Sequence, residues 1–116
     1  MAECVIRNKG FLNRVHKCKN KERKTLIKNA SRDNIDALSE IALNTLLGNV
    51  PLKTEEKQKL KRHRDKIRKL AHRKTSTKKK KILLVQQGGF LPLLLTPILS
   101  ALGGLAAKAI GSAIGI

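Results

Sequence analysis

Apolar residues fall along this chain in three patterns, and each predicts a different kind of helix. From Ser31 to Leu47, SRDNIDALSEIALNTLL, the positions Ile35, Leu38, Ile41, Ala42, Thr45 and Leu46 recur at helical spacing. Ser31 is placed to cap the first turn, and Asp33 and Asp36 sit near the positive end of the helix dipole. Gly48 and then Pro51 stop the segment. From Thr54 to Lys74, TEEKQKLKRHRDKIRKLAHRK, the stripe narrows to Leu60, Ile67, Leu70 and Ala71, with His63 filling the gap. Thr54 is the expected N-cap, Glu55 and Glu56 lie in the first turn, and Thr75-Ser76-Thr77 interrupts the segment. From Ile82 onward periodicity gives way to a nearly continuous apolar run, broken by Gly88-Gly89, Pro92, Pro97 and Gly103-Gly104. Residues 1–30 are weaker: Val5, Ile6, Phe11, Leu12, Val15, Leu26 and Ile27 permit an amphipathic helix over 11–29, against Gly10 and several Asn.

The expected fold is all-α: two or three loosely packed basic helices, followed by an apolar helical tail interrupted by Gly and Pro. Four regions follow. Residues 1–53 form a basic N-terminal region with a helix near 32–47. Residues 54–81 form a highly basic helix and lysine run, 82–89 a linker holding the glycine pair, and 90–116 an apolar tail.

Charge sharpens this picture. At 116 residues the chain makes one domain at most. Twenty-six Lys and Arg oppose 8 Asp and Glu, for a net charge of +18. Self-repulsion at that charge opposes compaction, which is why loose packing is expected. The apolar part carries almost none of it: residues 82–116 hold one charge, Lys108. Cys4 and Cys18 do not make a disulfide framework, and MAECVIRNKG turns charged too soon for a secretory signal. An intracellular, reducing setting is therefore expected.

Residues 57–81 carry 14 Lys and Arg against one Asp. As a helix rising about 1.5 Å per residue, that charge density approaches the one phosphate per about 1.7 Å of duplex DNA. Such a segment binds polyanions by counterion release, tightly, with strong salt dependence and without reading sequence. Lysine outnumbers arginine, and lysine meets phosphate as a point charge without a base-reading fork. The candidate contacts are Lys57, Lys59, Lys61, Arg62, Arg64, Lys66, Arg68, Lys69, Arg73, Lys74 and Lys78, Lys79, Lys80 and Lys81. Charge alone does not separate DNA from RNA, nor binding from a solvated run or a nuclear-localisation patch.

Other chemistry is poorly supported. Tyr and Trp are absent, so stacking on single strands lacks its usual platforms. No zinc-finger spacing unites Cys4, His16 and Cys18, and no phosphate-binding glycine loop, paired-carboxylate site or nucleophile–base pattern is present. Neither a metal, a cofactor nor a catalytic residue is expected. Residues 82–107 carry no charge and pass the length screen for a membrane helix, although prolines and glycines interrupt them. A membrane-anchored or membrane-active protein with a polybasic lipid-binding segment is the alternative function.

The junction LLVQQGGFLPLLL carries a resemblance. A basic block, then Gly88, Gly89, Phe90, Leu91, Pro92, Leu94 or Leu95 and an Ala/Gly-rich stretch from Ala101, resembles the precursor of the adenovirus mu core protein. It is also similar to the mu-like proteins of Polinton or Maverick elements and adintoviruses. The likeness spans residues 54–104 and is weak or absent over 1–53. It implies a small virion core protein that condenses double-stranded DNA, found in the host nucleus or cytoplasm before assembly. It also implies cutting by a viral cysteine protease at Gly88, Gly89 and Phe90, although Gln86 stands where that protease prefers an aliphatic residue. A double glycine is slim and extended enough to thread a narrow protease groove, because no Cβ blocks the backbone. Cutting after Gly89 is expected to free a DNA condenser, 1–89, from an apolar peptide, 90–116, which docks on capsid proteins or membrane before the cut.

Overall fold

The best-patterned segment becomes the centre of the molecule. In the computed structural model, which describes residues 3–103, helix α4 spans Arg32–Leu47. Its N-terminus is closed by a reciprocal cap: the Asn34 N–H donates to Ser31 Oγ at 3.0 Å, and the Ser31 N–H donates to Asn34 Oδ1 at 2.9 Å. At its other end Gly48 takes the left-handed conformation, φ 82°, that a side chain would disfavour.

Around α4 stand α1 (Glu3–Arg7), α2 (Lys9–Lys17), α3 (Asn20–Lys28), α5 (Thr54–Lys61), α6 (Arg64–Ala71), α7 (Thr77–Gln87) and α8 (Leu91–Gly103). A 3-10 turn, Gly88–Phe90, joins the last two. There is no strand among the described residues, so the all-α expectation holds. Expected tail residues 104–116 lie outside the described residues.

Element boundaries differ from the sequence reading in four places. The basic segment is two helices, with Arg62 and His63 in a tightened turn where the His63 N–H reaches the Leu60 carbonyl, three residues back. The cap falls on Lys53, not Thr54, because Glu56 Oε1 accepts the Lys53 N–H at 2.9 Å. Residues 82–89 are no linker: they continue α7 and enter the turn, so residues 77–101 run as a 25-residue rod. Ser76 caps that rod by accepting the Lys79 N–H at 3.2 Å. The expected 11–29 helix is likewise split, at Cys18-Lys19.

The rod organises the rest. Successive side chains turn about 100° around its axis. Lys80 and Leu84 face α4, where Lys80 Nζ donates to Ser39 Oγ at 2.8 Å. Lys81 faces α3, and its Nζ donates to the Lys28 carbonyl at 3.2 Å. Further along the same side, His16 on α2 meets Thr96 on α8, with Nε2 2.9 Å from Oγ1. On the opposite side, Phe90 stacks on His63 at the α5–α6 break, ring centroids 6.0 Å apart. Thus α4 lies under the rod, α2 and α3 along one flank, and α5 and α6 along the other. The fourth side is open: Ile82 is 48% exposed, and Gln86, Gly89 and Ser100 are exposed with it.

Between rod and α4 lies one core. Phe90, Leu91, Leu94, Leu95 and Ile98 from the rod are at most 4% exposed, as are Ile35, Leu38 and Ile41 of α4 and Leu60, Ile67 and Leu70 of α5 and α6. Among the described residues every charged side chain but Arg23 and Lys80 is at least partly exposed, so repulsion between them does not prevent this core from closing.

Helix α1 is tied to the start of α4 by a polar clasp. Arg7 Nη2 and Nε donate to Asp33 Oδ1 and Oδ2 at 2.8 and 3.1 Å, and Asn8 Nδ2 donates to Asp33 Oδ2 at 2.8 Å. Asn34 Nδ2 closes the ring on Asn8 Oδ1 at 2.6 Å. These donors, Arg7 first and then Asn8, hold the Asp33 carboxyl down at about 2, against 3.8 ordinarily.

Two outcomes follow from this packing. A chain ending at Gly89 loses five core side chains and its cooperative unfolding transition, while Phe90→Ala in the full chain costs about 3–5 kcal/mol by denaturant titration. The Asp33 pKa is lower folded than unfolded, so its contribution is complete above 3.8 and drains away as pH falls toward about 2. Asp33→Asn therefore lowers Tm at neutral pH and flattens the Tm–pH curve across that window.

Candidate nucleic-acid interface

The fold sorts the fourteen candidate cations into three groups. Nine are exposed: Lys59, Lys61 and Arg62 at the end of α5, Arg68 and Lys69 on α6, Arg73 and Lys74 in the connection, and Lys78 and Lys79 in the first turn of α7. Lys57, Arg64, Lys66 and Lys81 are half-buried. Lys80 is a correction: it is 5% exposed, and its ammonium is turned inward onto Ser39, near Asp36. Burial pulls its pKa down, and Asp36 partly restores it. A side chain so placed ties α7 to α4 and does not present its charge to a phosphate outside.

The α5–α6 break is part of the geometry. A straight helix would carry its cations round a single stripe. Here the chain turns at Arg62-His63, and His63 swings its ring onto Phe90. Desolvation, then Lys66 and Arg62, lower the pKa of His63, so the neutral ring is favoured in this stack. The flank made by α5 and α6 is therefore fixed to the rod by an aromatic contact, with its cations facing away.

Sequence reasoning missed a second cationic surface. Lys21, Lys24 and Lys28 are exposed on α3, and Lys19 precedes them at the helix boundary. On α2, Arg14 and Lys17 line a cavity of about 770 Å³ shared with Lys21 and Leu26 of α3. Not every cation there is available, since Arg23 is 8% exposed and donates to Asn20 Oδ1 at 2.7 Å. The signal was visible as the run KCKNKERK, but nothing local says that α3 lies against the rod beside Lys81.

The glycine pair is not the extended strand that a protease groove would take. Gly88 and Gly89 lie in the 3-10 turn, and Phe90 is 1% exposed in the core. The cut expected after Gly89 would divide the rod, and residues 91–98, expected in a detachable tail, are core. Neither glycine has a positive φ. A Cβ on Gly88 would make ordinary contacts of 3.6 Å with Leu91 and 3.9 Å with Leu84, and one on Gly89 would meet nothing within 4 Å.

Among the described residues no group of three or more His, Cys, Asp or Glu is arranged to hold a metal ion. Cys4 and Cys18 are free thiols, and Cys4 lies against Asp33, where burial first and then that carboxylate push its pKa up. The chain matches no known family model, no curated protein and no solved structure.

The placement separates two neighbouring lysines. Lys79→Gln lowers the slope of log affinity for duplex DNA against log salt by about one, and Lys80→Met leaves it unchanged. Gel shifts across a salt series read both.

Proposed function

We propose that this chain binds duplex DNA through its phosphates, without reading base sequence, and condenses it as the core protein precursor of an adenovirus-related virus or mobile element. The observation that carries the reading is the basic segment. Fourteen cations face one carboxylate there, and nine of them are exposed on a framework whose apolar side is occupied by the core. Charge of this density seeks a polyanion, and Lys-rich contacts favour the backbone over base edges. The resemblance of residues 54–104 to mu precursors supplies the choice of double-stranded DNA and of a virion core. No catalytic role is part of this reading.

Processing by a viral cysteine protease at Gly88, Gly89 and Phe90 belongs to the same proposal. The glycines support it in one respect: neither conformation nor packing requires them. The burial of Phe90 adds a condition, since the bond after Gly89 reaches a protease groove only when the rod opens.

The membrane reading has one observation in its favour. The rod is long and apolar enough to cross a bilayer, with mean hydropathy 1.7 in its best window. Against it, the inner side of that rod is spent on the core. Flotation of the full chain with anionic liposomes that survives high salt would favour this reading.

DNA binding is tested with two duplexes of equal length and unrelated sequence. The expected result is equal affinity for both, falling by about 10³ or more between about 50 and 200 mM salt if six or more phosphates are engaged. Affinity that ignores salt, or that depends on base sequence, overturns the proposal.

A further inference from the structure

The basic residues are not gathered on one face. Along one flank of the rod, residues 9–28 carry eight cations against Glu22 alone. Along the other, residues 53–74 carry eleven cations against Glu55, Glu56 and Asp65. The two flanks therefore hold net charges of +7 and +8. Their positions are fixed by contacts on opposite sides of the rod: Lys81 to the Lys28 carbonyl and His16 to Thr96 on one, His63 against Phe90 on the other.

The remaining two sides join them only at the rod's first turn, where Lys78 and Lys79 are exposed. Underneath, α4 carries Asp33, Asp36 and Glu40 against Arg32, an excess of carboxylate. On the open side, the rod beyond its first turn presents Ile82, Gln86, Gly89 and Ser100, all neutral. With neighbouring helix axes about 8–10 Å apart, the flank axes are separated by roughly 16–20 Å. The cross-section of 26 × 25 Å accommodates that spacing.

Resting on the proposed DNA binding, we infer that one chain bridges two duplexes, one held by the α2–α3 flank and the other by the α5–α6 flank. A single duplex laid over the open side would press phosphates onto a neutral strip containing Ile82, with few cations to replace their counterions. A duplex on either flank instead meets cations of one sign, and the second flank then faces outward with its charge unspent. Bridging of this kind compacts DNA by joining separate segments.

The test uses the full chain and two 30-base-pair duplexes, one bound to beads and the other fluorescent and in solution. Wild type is expected to hold the fluorescent duplex on the beads at about 50 mM salt. The triple variants K21E/K24E/K28E and K59E/K61E/R62E change only exposed side chains, and circular dichroism checks their fold. Each is expected to shift a single duplex still, by its intact flank, and to lose capture of the second duplex by about tenfold or more. Capture that survives in either variant overturns the inference, and so does a wild type that binds one duplex and captures none. The latter result means that both flanks grip a single duplex. A wild type that binds no duplex, or prefers structured RNA or anionic vesicles at matched salt, removes the DNA reading itself, and the bridge falls with it.

Discussion

The fold depends on burying one side of the 77–101 rod against α4. Apolar burial contributes roughly 25 cal/mol per Å², and the rod alone places six large side chains in the core, Leu84, Phe90, Leu91, Leu94, Leu95 and Ile98. What opposes this is a net charge of +18. The opposition is weakened by where the cations sit. The two flanks are separated by about 16–20 Å, more than the roughly 8 Å over which salt at physiological strength screens charge. Repulsion is then felt mostly within a flank, where long side chains reach apart into water. Splitting the charge between opposite sides thus eases the closing of the core.

The apolar C-terminal stretch takes on a different meaning in this setting. By composition it reads as a tail to be anchored or discarded. In the fold its first half is the largest contributor to the core, and the basic helices are arranged around it. The basic part and the apolar part are therefore not separable modules. Residues 57–81 owe their presentation to side chains that follow them in the chain, Phe90 above all, which holds the α5–α6 corner through His63.

Local signals were legible and distant ones were not. Ser31, the spacing from Ile35 to Leu46 and Gly48 set the ends and face of α4, because caps and periodicity act within a few residues. The helical character of the basic segment and its apolar stripe were also readable. The break at Arg62-His63 was not, because its partner is Phe90, 27 residues further on. Nor was the inward turn of Lys80, since nothing within KKKK distinguishes one lysine from the next until Ser39 and Asp36 are brought beside it. Gly88-Gly89 misled for the opposite reason. Glycine pairs usually end helices, whereas here the turn costs the rod only a local tightening, and packing on both sides restores its course.

The position of Phe90 also sets the timing of any scission beside it. A peptide bond whose flanking side chain is locked in the core is cut at a rate set by how often the surrounding structure opens, as long as reclosing is faster than cleavage. The Gly89–Phe90 bond would then act as a gauge of conformational stability. Partners or solution conditions that tighten the folded chain would prolong its lifetime, and those that loosen it would shorten it, with no change in the protease.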